Sequence, residues 1–479
     1  MSAAEPAPSP VTEAGQRVRR FDQLLLAVIA TLLIAIGVTI AGGDRAGVGI
    51  SLLDLDGNPV SGSLTLPSGR PIQIRFSEAM ATDSVHIHLT PNLPFTQHWA
   101  GTTLLLTPLP ALTAGISYRL TLDAGIHALS GRQVVQPTVW PITVEPLRVI
   151  FMAPAIPTPL DQIVNLWLVT ADGSGTPVKL TQSTYGIEDF AVSPDGRTVA
   201  YSQRDAHGKT DLFLLTIADD SSRQITHCVD SPCRAPSWNP DGRRLLYERA
   251  DSTATDSAVR AWLLDLTTLQ TTPLFADSQW LGQTPRWSAD GRTISVYDKH
   301  VGGIFIVDAA SGDRSLIQTL EDDAGLFAPG QRQELAFRQL VTTKQGAMRQ
   351  LAVADYSDHA IRSLPAADGA LTDDPVAIWQ PDGKRLTVMR RYFDQRGTEG
   401  SQVYSVNAQT GESTPLVVDA AYTHGALSWS PDGGQLLMQR YPMVATGTAQ
   451  SQTSLWRYDV ATKSLRQLAT NGFLPQWLP

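Results

Sequence analysis

A motif that recurs along the C-terminal two thirds of the chain constrains the fold more than any other feature. Each copy places an aromatic or apolar residue two positions before Pro-Asp-Gly or a close variant of it. The clear copies are Val192–Gly196, Trp238–Gly242, Trp287–Gly291, Trp379–Gly383 and Trp429–Gly433, and a worn copy lies at Phe327–Gly330. The glycines of these six copies are 46, 49, 39, 53 and 50 residues apart. This spacing indicates a repeated structural unit.

The motif is typical of a tight turn between two antiparallel strands. Proline fixes φ near about −65°, aspartate bonds to nearby backbone N–H groups, and glycine accepts positive φ. A strand follows each turn, as at Thr198–Ser202, and third and fourth strands follow, as at Asp211–Thr216 and Arg223–Thr226. Four short strands in each unit of this length predict the blade of a β-propeller.

The number of units follows from the positions of the strands. Six complete units begin near residues 188, 235, 284, 324, 376 and 426. An N-terminal fragment supplies strands at 148–152, 165–170 and 178–181, and Leu474–Trp477 supplies one first strand. Together these two fragments make one more blade. The sequence therefore predicts an all-β fold with a seven-bladed propeller over residues 147–479, closed by the chain ends, with six blades as the alternative. Closure would remove the open sheet edges.

Tryptophan is distributed with the same regularity. Eight of the 11 tryptophans occupy repeat positions, five before the turn on the first strand and three on the third strand. We interpret these tryptophans, and the aspartates of the turns, as structural residues that pack neighbouring sheets together.

These residues resemble the WD40-like repeat of TolB-type propellers, in which aromatic-Ser-Pro-Asp-Gly is characteristic. The resemblance covers about 330 residues, and the same repeat occurs in the propellers of prolyl-oligopeptidase-like peptidases. It implies the propeller fold and the class of binding modules. TolB-type propellers usually have six blades, whereas seven are predicted here. Because of this difference, the resemblance does not imply that the chain binds the specific partner of TolB.

Residues 44–146 show short alternating strands separated by turn residues, as at Ile72–Phe76 and Tyr118–Leu122. Their order resembles the bacterial Ig-like domain of surface-layer and adhesion proteins. The matching residues are Phe76–Met80, Trp99, Thr102–Pro108 and Leu112–Leu122. The resemblance implies a β-sandwich that acts as a stalk for the propeller.

The N-terminal region predicts a membrane anchor. Residues 24–41 carry no charge and are long enough to cross a hydrocarbon core of about 30 Å as a helix. Arg17, Arg19 and Arg20 precede them, which places the N-terminus in the cytoplasm and the bulk of the chain outside. We predict a disordered tail over residues 1–22 and one transmembrane helix over 23–43. A cleaved signal peptide is the alternative.

Composition and motifs exclude several functions. The formal net charge is −9, without a basic cluster beyond the N-terminus, so we expect no nucleic-acid partner. The sequence shows no nucleophile elbow, zinc-protease motif or phosphate loop, so we predict no enzyme and no cofactor. His86 and His88 could share a metal, but a solvated strand face is favoured. For Asp54–Asn58, a β-turn is favoured over a calcium site.

Cys228 and Cys233 lie in one short loop between two units. In an oxidising compartment such a pair can form a disulfide. We predict a disulfide that stiffens this loop, with free thiols or a metal as alternatives.

The loops opposite the Pro-Asp-Gly turns are long and variable, and function concentrates on such loops. Aromatic residues and arginine are enriched at binding hot spots. The predicted binding residues are Tyr185, Arg249, Trp280, Arg390, Arg391, Tyr392, Phe393, Tyr422 and Tyr441. We predict that this face binds an extracytoplasmic protein, peptide or glycan. A hydrolase or lyase with its site at the channel mouth is the alternative.

Overall fold

The computed structural model describes residues 47–478 except 110, 156–162, 229–230, 251–257, 278, 331 and 444–451, together with residues 29, 31 and 32. The predicted tail and most of the predicted transmembrane segment lie outside these residues. Ile29, Thr31 and Leu32 are helical. Within the described residues, no helix combines the length and apolar character needed to cross a bilayer.

The first part of the described chain is a sandwich of two four-stranded sheets. In chain order the strands are β1 (Ile50–Leu53), β2 (Leu64–Leu66), β3 (Ile72–Phe76), β4 (Ile87–Thr90), β5 (Phe95–Ala100), β6 (Thr103–Pro108), β7 (Ser117–Leu122) and β8 (Thr138–Val144). A short 3-10 helix spans Thr82–Ser84. The sheet orders are β1-β3-β6-β5 and β2-β8-β7-β4, and only the β2–β8 pair among these is parallel.

Alternation along the strands builds the core of the sandwich. In β3 the side chains of Ile72, Ile74 and Phe76 are buried, while Arg75 is exposed. The opposite sheet contributes Leu120, Leu122, Trp140 and Ile142, among others, to the same core. A period of two therefore places one face of each sheet inside.

Seven four-stranded antiparallel sheets follow, and we refer to them as blades 1–7. The first three strands are β9 (Arg148–Ala153), β10 (Asn165–Thr170) and β11 (Val178–Lys179). Blade 2 is β12 (Ile187–Val192), β13 (Thr198–Arg204), β14 (Thr210–Thr216) and β15 (Ser221–Gln224); blade 3 is β16 (Cys233–Trp238), β17 (Arg244–Ala250), β18 (Val259–Asp265) and β19 (Thr271–Pro273); blade 4 is β20 (Gln283–Trp287), β21 (Thr293–Asp298), β22 (Gly303–Asp308) and β23 (Arg314–Gln318).

The remaining blades have the same order. Blade 5 is β24 (Leu326–Phe327), β25 (Glu334–Thr343), β26 (Gly346–Asp355) and β27 (Ala360–Ser363); blade 6 is β28 (Thr372–Trp379), β29 (Arg385–Tyr392), β30 (Gln402–Asn407) and β31 (Ser413–Val417); blade 7 is β32 (Tyr422–Trp429), β33 (Gln435–Pro442), β34 (Ser454–Asp459) and β35 (Ser464–Thr470). The last strand, β36 (Phe473–Leu478), pairs with β9, so blade 1 has the order β11-β10-β9-β36.

The Pro-Asp-Gly turns are built by local bonds that the sequence specifies. In blade 2 the Ser193 hydroxyl donates to Asp195 Oδ1 at 2.6 Å, and the Arg197 N–H donates to the same oxygen at 3.0 Å. Gly196 has φ +68°, a conformation that glycine adopts without strain. The aspartates of these turns are therefore engaged by their own turns.

The tryptophans before the turns join neighbouring blades. The indole N–H of Trp379 donates to the Leu326 carbonyl of blade 5 at 2.8 Å, and that of Trp238 donates to Ala191 of blade 2 at 2.9 Å. The Trp287 indole N–H is buried and has no hydrogen-bond partner. Each bonded tryptophan thus combines apolar packing with one hydrogen bond between blades.

Blade 5 contains an extension that the sequence analysis did not predict. Its second and third strands, β25 and β26, are ten residues each, two to four residues longer than the corresponding strands of the other blades. Leu340 and Val341 near the tip are 41% and 37% exposed. The hairpin therefore projects beyond its neighbours at the end opposite the Pro-Asp-Gly turns.

Candidate binding face

The two ends of the blades differ in what they contact. At the end with the Pro-Asp-Gly turns, which we call the turn face, Arg197 of blade 2 pairs with Asp56 of the sandwich, with Nη2 and Oδ2 3.2 Å apart. Gly69 of the sandwich lies so close to Pro431 of blade 7 that an added Cβ would be 3.1 Å away. The sandwich therefore lies against the turn face, and the opposite end, the loop face, carries the long loops.

Hydrogen bonds between blades hold the loop-face ends of the first strands. The Ala235 N–H of blade 3 donates to Asp189 Oδ2 of blade 2 at 2.6 Å, and the Thr284 N–H of blade 4 donates to Glu248 Oε1 of blade 3 at 2.7 Å. Thr284 Oγ1 in turn accepts from the Ala324 N–H of blade 5 at 2.9 Å. These bonds therefore fix the positions of the strand ends from which the loops of this face begin.

Blades 3 and 4 place two predicted binding residues in contacts within their own blade. The Arg249 guanidinium lies 4.9 Å from the centre of the Trp262 ring, and its Nε donates to Ser231 Oγ at 3.0 Å. The Trp280 ring is 4.3 Å from the guanidinium carbon of Arg314. Both side chains thus have intramolecular cation–π partners.

Blade 6 holds four predicted residues in different environments. Arg390 is fully buried and forms a bidentate pair with Asp374, at 2.8 and 2.7 Å. The sequence analysis places Arg390 on the binding face, but this pair commits its guanidinium to the blade interior. Arg391 and Phe393 are exposed, and the guanidinium of Arg391 lies 5.2 Å from the Phe393 ring. Tyr392 is buried except for 4% of its surface.

The remaining predicted residues lie elsewhere on the loop face. Tyr185 precedes blade 2 and is 51% exposed. In blade 7 the Arg440 guanidinium lies 3.8 Å from the centre of the Tyr422 ring and also pairs with Asp419. The Tyr441 hydroxyl accepts a bond from Gln439 Nε2 at 2.6 Å. The structure therefore brings predicted residues into contact within blade 6, where Arg390 lies 5.8 Å from the centre of the Tyr392 ring and Arg391 lies 5.2 Å from that of Phe393.

A pocket of about 590 Å³ lies beside Tyr392 on blade 6. Its lining residues are Ala367, Asp368, Tyr392, Arg396, Tyr404, Glu412, Ser413, Pro415 and Val418. The rings of Tyr392 and Tyr404 meet edge to face, with centroids 5.3 Å apart. The volume is in the usual range for a ligand site, and the lining combines apolar walls with a few charged groups.

Arg396 bonds to two of the charged side chains at this pocket. Its guanidinium lies 4.1 Å from the centre of the Tyr392 ring, and Nη1 bonds to Asp368 Oδ2 at 2.5 Å. Its Nε bonds to Asp394 Oδ2 at 3.0 Å. These bonds lower the pKa of Asp368 and of Asp394 and raise the pKa of Arg396, so all three groups are ionised at neutral pH.

Sequence reasoning found Tyr392 but missed Arg396, Tyr404, Asp368 and Glu412. Three of these residues come from three different loops and Tyr404 comes from β30, and no motif links them. One signal was present, since Asp394 and Arg396 directly follow the predicted binding residues Arg391–Phe393 in the chain.

A second cavity of about 770 Å³ lies where blade 1 meets the outer strand of blade 7. Phe151, Trp167 and Leu468 are among its lining residues, and no ionisable side chain contributes to that lining among the described residues. Its surface is mostly apolar, and Gln467, Thr470 and Asn471 are the uncharged polar residues of the lining.

The candidate metal positions have other contacts. His88 Nε2 lies 3.0 Å from Asp123 Oδ2, and both side chains are exposed. Asp54 Oδ1 accepts the N–H groups of Asp56 and Asn58, which is the geometry of a turn. Across the described ranges, no group of three His, Cys, Asp or Glu residues is placed to hold a metal ion.

Cys228 and Cys233 are joined by a disulfide in the structure. Their loop also contains Ser231, whose hydroxyl receives the Arg249 bond. The disulfide therefore constrains the loop that holds one predicted binding residue.

Residues 55–144 match the family model described as Bacterial Ig-like domain. This part of the chain is therefore similar to a bacterial Ig-like domain. The matched range contains strands β2 to β8 of the sandwich. With the four-stranded sheets that follow, the predicted all-β fold with an Ig-like domain before propeller-like sheets is confirmed.

Other similar proteins share limited identity with this chain. Dipeptidyl-peptidase 5 of Arthroderma otae is 23% identical over 175 residues, which are 32% of this chain and 24% of the relative. The chain thus spans about a quarter of the length of the curated relative that it matches.

Among solved structures, TolB from Acinetobacter baumannii is similar with a TM-score of 0.42 and 15% identity, over 77% of this chain and 80% of that one. Oligogalacturonate lyase from Vibrio parahaemolyticus is similar with a TM-score of 0.47 and 15% identity, over 67% of this chain and 84% of that one.

Proposed function

We propose that this protein is a membrane-anchored extracytoplasmic binding protein whose propeller engages a protein or peptide through its loop face, and that it is not an enzyme. The blade 6 pocket carries this proposal. It combines two tyrosine rings with exposed charged side chains, and it extends along blade 6 from Arg396 on the loop face to Glu412 in the turn between β30 and β31. A glycan is the alternative ligand.

The propeller is proposed as a closed ring of seven blades. Three observations support it: seven sheets have the same strand order, β36 completes blade 1, and neighbouring blades share hydrogen bonds. Gln476 of β36 contributes to closure, because its side chain bonds to Phe190 and Val192 of blade 2. A closed ring gives the loop face a rigid base.

The anchor and the spacer are the second part of the proposal. The chain enters the Ig-like domain at Gly47, next to Gln133, whose carbonyl accepts the Val48 N–H at 3.2 Å. This point lies near the start of β8, whereas the propeller follows its end. The seven residues of β8 span about 23 Å at the usual rise. We therefore propose that the domain holds the propeller away from a bilayer that residues 23–43 cross.

The titratable groups with shifted pKa on the loop face favour structure over chemistry. Burial raises the pKa of Asp189 to about 6, and this carboxyl accepts bonds from Ala235 and Ser202. Burial lowers the pKa of His424 to about 4, and its Nδ1 lies 3.0 Å from the Ser401 carbonyl. Each group has a structural partner in place of a substrate.

Site-specific photo-crosslinking in intact cells tests the proposal. A photoreactive amino acid at Gln395, exposed on the blade 6 loop, should capture one discrete extracytoplasmic protein. The matched control is the same amino acid at Lys384, exposed on the turn face of the same blade. Equal capture from both positions, or none from Gln395, would overturn the proposal of a loop-face binding protein.

A further inference from the structure

The charges around the blade 6 pocket do not balance. Asp368 and Glu412 line it, and Asp394 is bonded to the same guanidinium as Asp368. Asp368 and Asp394 bind Arg396, and Glu412 lines the same pocket, so these four groups together carry a formal charge of −2. Glu412 is exposed and forms no ion pair with any residue that the structure describes. An anionic ligand would be repelled here, and a cation would find an unpaired carboxylate.

The aromatic walls favour the same kind of ligand. The face of a tyrosine ring carries negative charge density and attracts a cation within about 6 Å of its centre. Arg396 already makes such a contact with Tyr392 at 4.1 Å. The side chain of Arg396 is 45% exposed and comes from a loop, so the protein itself shows that a guanidinium fits beside these rings.

The polar lining is rich in hydrogen-bond acceptors. The carboxylate oxygens of Asp368 and Glu412 accept, and no Asn, Gln or His lines this pocket among the described residues. Apart from Arg396, the donors are the hydroxyls of the two tyrosines and Ser413.

We propose that the blade 6 pocket binds a basic side chain, lysine or arginine, of the partner protein or peptide. The cation lies against the Tyr404 ring and pairs with Glu412, because Arg396 already contacts the Tyr392 ring and Asp368. This inference rests on the proposed binding function and specifies the chemistry of its ligand.

Saturation-transfer-difference NMR on the full chain in detergent micelles tests it. The probe is Nα-acetyl-lysine amide, and the controls are Nα-acetyl-norleucine amide, which has the same carbon chain without the charge, and methyl β-glucoside. We expect signals from the lysine methylenes that weaken with salt, and none from either control. Equal signals from norleucine, or signals from the glucoside alone, would overturn the inference.

Two matched variants locate the binding. Glu412→Gln removes the unpaired carboxylate and should reduce the lysine signal about twofold to fivefold, the range for an exposed ion pair. Glu399→Gln removes an exposed carboxylate of the neighbouring loop that does not line the pocket, and it should leave the signal unchanged. The same loss in both variants would contradict the assignment to this pocket.

The outcome is separable from that of the proposed function. If crosslinking from Gln395 captures a partner but the lysine probe does not bind, the loop-face function stands and the inference about a basic side chain fails. If neither is observed, both fail.

Discussion

The buried ion pair between Arg390 and Asp374 makes a strong test of how blade 6 is held together. Both side chains are 0% exposed, and two hydrogen bonds of 2.8 and 2.7 Å join them. Burial acts to raise the pKa of Asp374, and the guanidinium acts in the opposite direction. Arginine does not release its proton in proteins, and both carboxylate oxygens of Asp374 accept hydrogen bonds from it, so the pair is ionised. Asp374→Asn therefore leaves a buried cation without its counter-charge.

The size of the effect can be worked out. Removing one partner of a buried pair costs about 3–5 kcal/mol. Taking about 330 residues as the unfolding unit, at about 2.1 cal/mol/K each, gives an unfolding entropy of about 0.7 kcal/mol/K. Asp374→Asn should then lower the melting temperature by about 4–7 °C.

Scanning calorimetry of the full chain in detergent micelles measures this shift. The control is Asp56→Asn, which breaks the exposed pair with Arg197 and should cost at most about 1 kcal/mol, or about 1.5 °C. The double variant Arg390→Met/Asp374→Leu should recover most of the loss, because apolar residues can replace a buried pair. Nη1 of Arg390 is buried without a hydrogen-bond partner, which favours this recovery.

Two results would refute the reasoning. Melting of Asp374→Asn within about 1.5 °C of the wild type would mean that the site is more hydrated than its burial indicates. A double variant that melts no higher than Asp374→Asn would mean that packing of the arginine stem, rather than charge, holds the blade.

Three further predictions use the same melting assay. The pKa of Asp189 is raised to about 6, above about 3.9 in an unfolded chain. The stabilising effect of this carboxyl is therefore full below pH 4 and is lost as the pH rises through about 6. Relative to the wild type, Asp189→Asn should gain about 3 kcal/mol, or about 4 °C, between pH 4 and 8. Trp379→Phe should cost at least about 1 kcal/mol more than Trp287→Phe, because only Trp379 loses a hydrogen bond between blades; equal costs would contradict this. The double variant Cys228→Ser/Cys233→Ser should lose about 2 kcal/mol, and a reducing agent should reproduce that loss in the wild type.

The blades could be predicted from the sequence because their determinants are local. The turn at Ser193–Gly196 is made by bonds between residues two to five positions apart, so the motif carries its own structure. The hairpin of blade 5 could not be predicted in the same way. Its repeat copy at Phe327–Gly330 is worn, and the length of β25 and β26 is set by their pairing with each other.

In blade 6, strand register determines which aspartate and which arginine are buried, and composition does not. Two aspartates, Asp373 and Asp374, lie on β28, and two arginines, Arg390 and Arg391, lie on β29. In the observed register Asp373 is opposite Arg391, so Asp374 and Arg390 both lie on the buried side. A slip of one residue would exchange the buried and exposed members. The sequence shows all four charged residues, but it does not show which aspartate and which arginine are buried.

The choice of binding residues shows a limit of the hot-spot rule. Arginine and aromatic residues are enriched at interfaces because they make cation–π contacts and cover large areas, and the same properties let them bind each other within a blade. Trp280, Tyr392 and Tyr422 each have an arginine over the ring. Of these contacts, only the one at Tyr392 adjoins a pocket with an unpaired carboxylate, Glu412. The residue types therefore indicate a binding site on the loop face, and the excess negative charge indicates that this site is on blade 6.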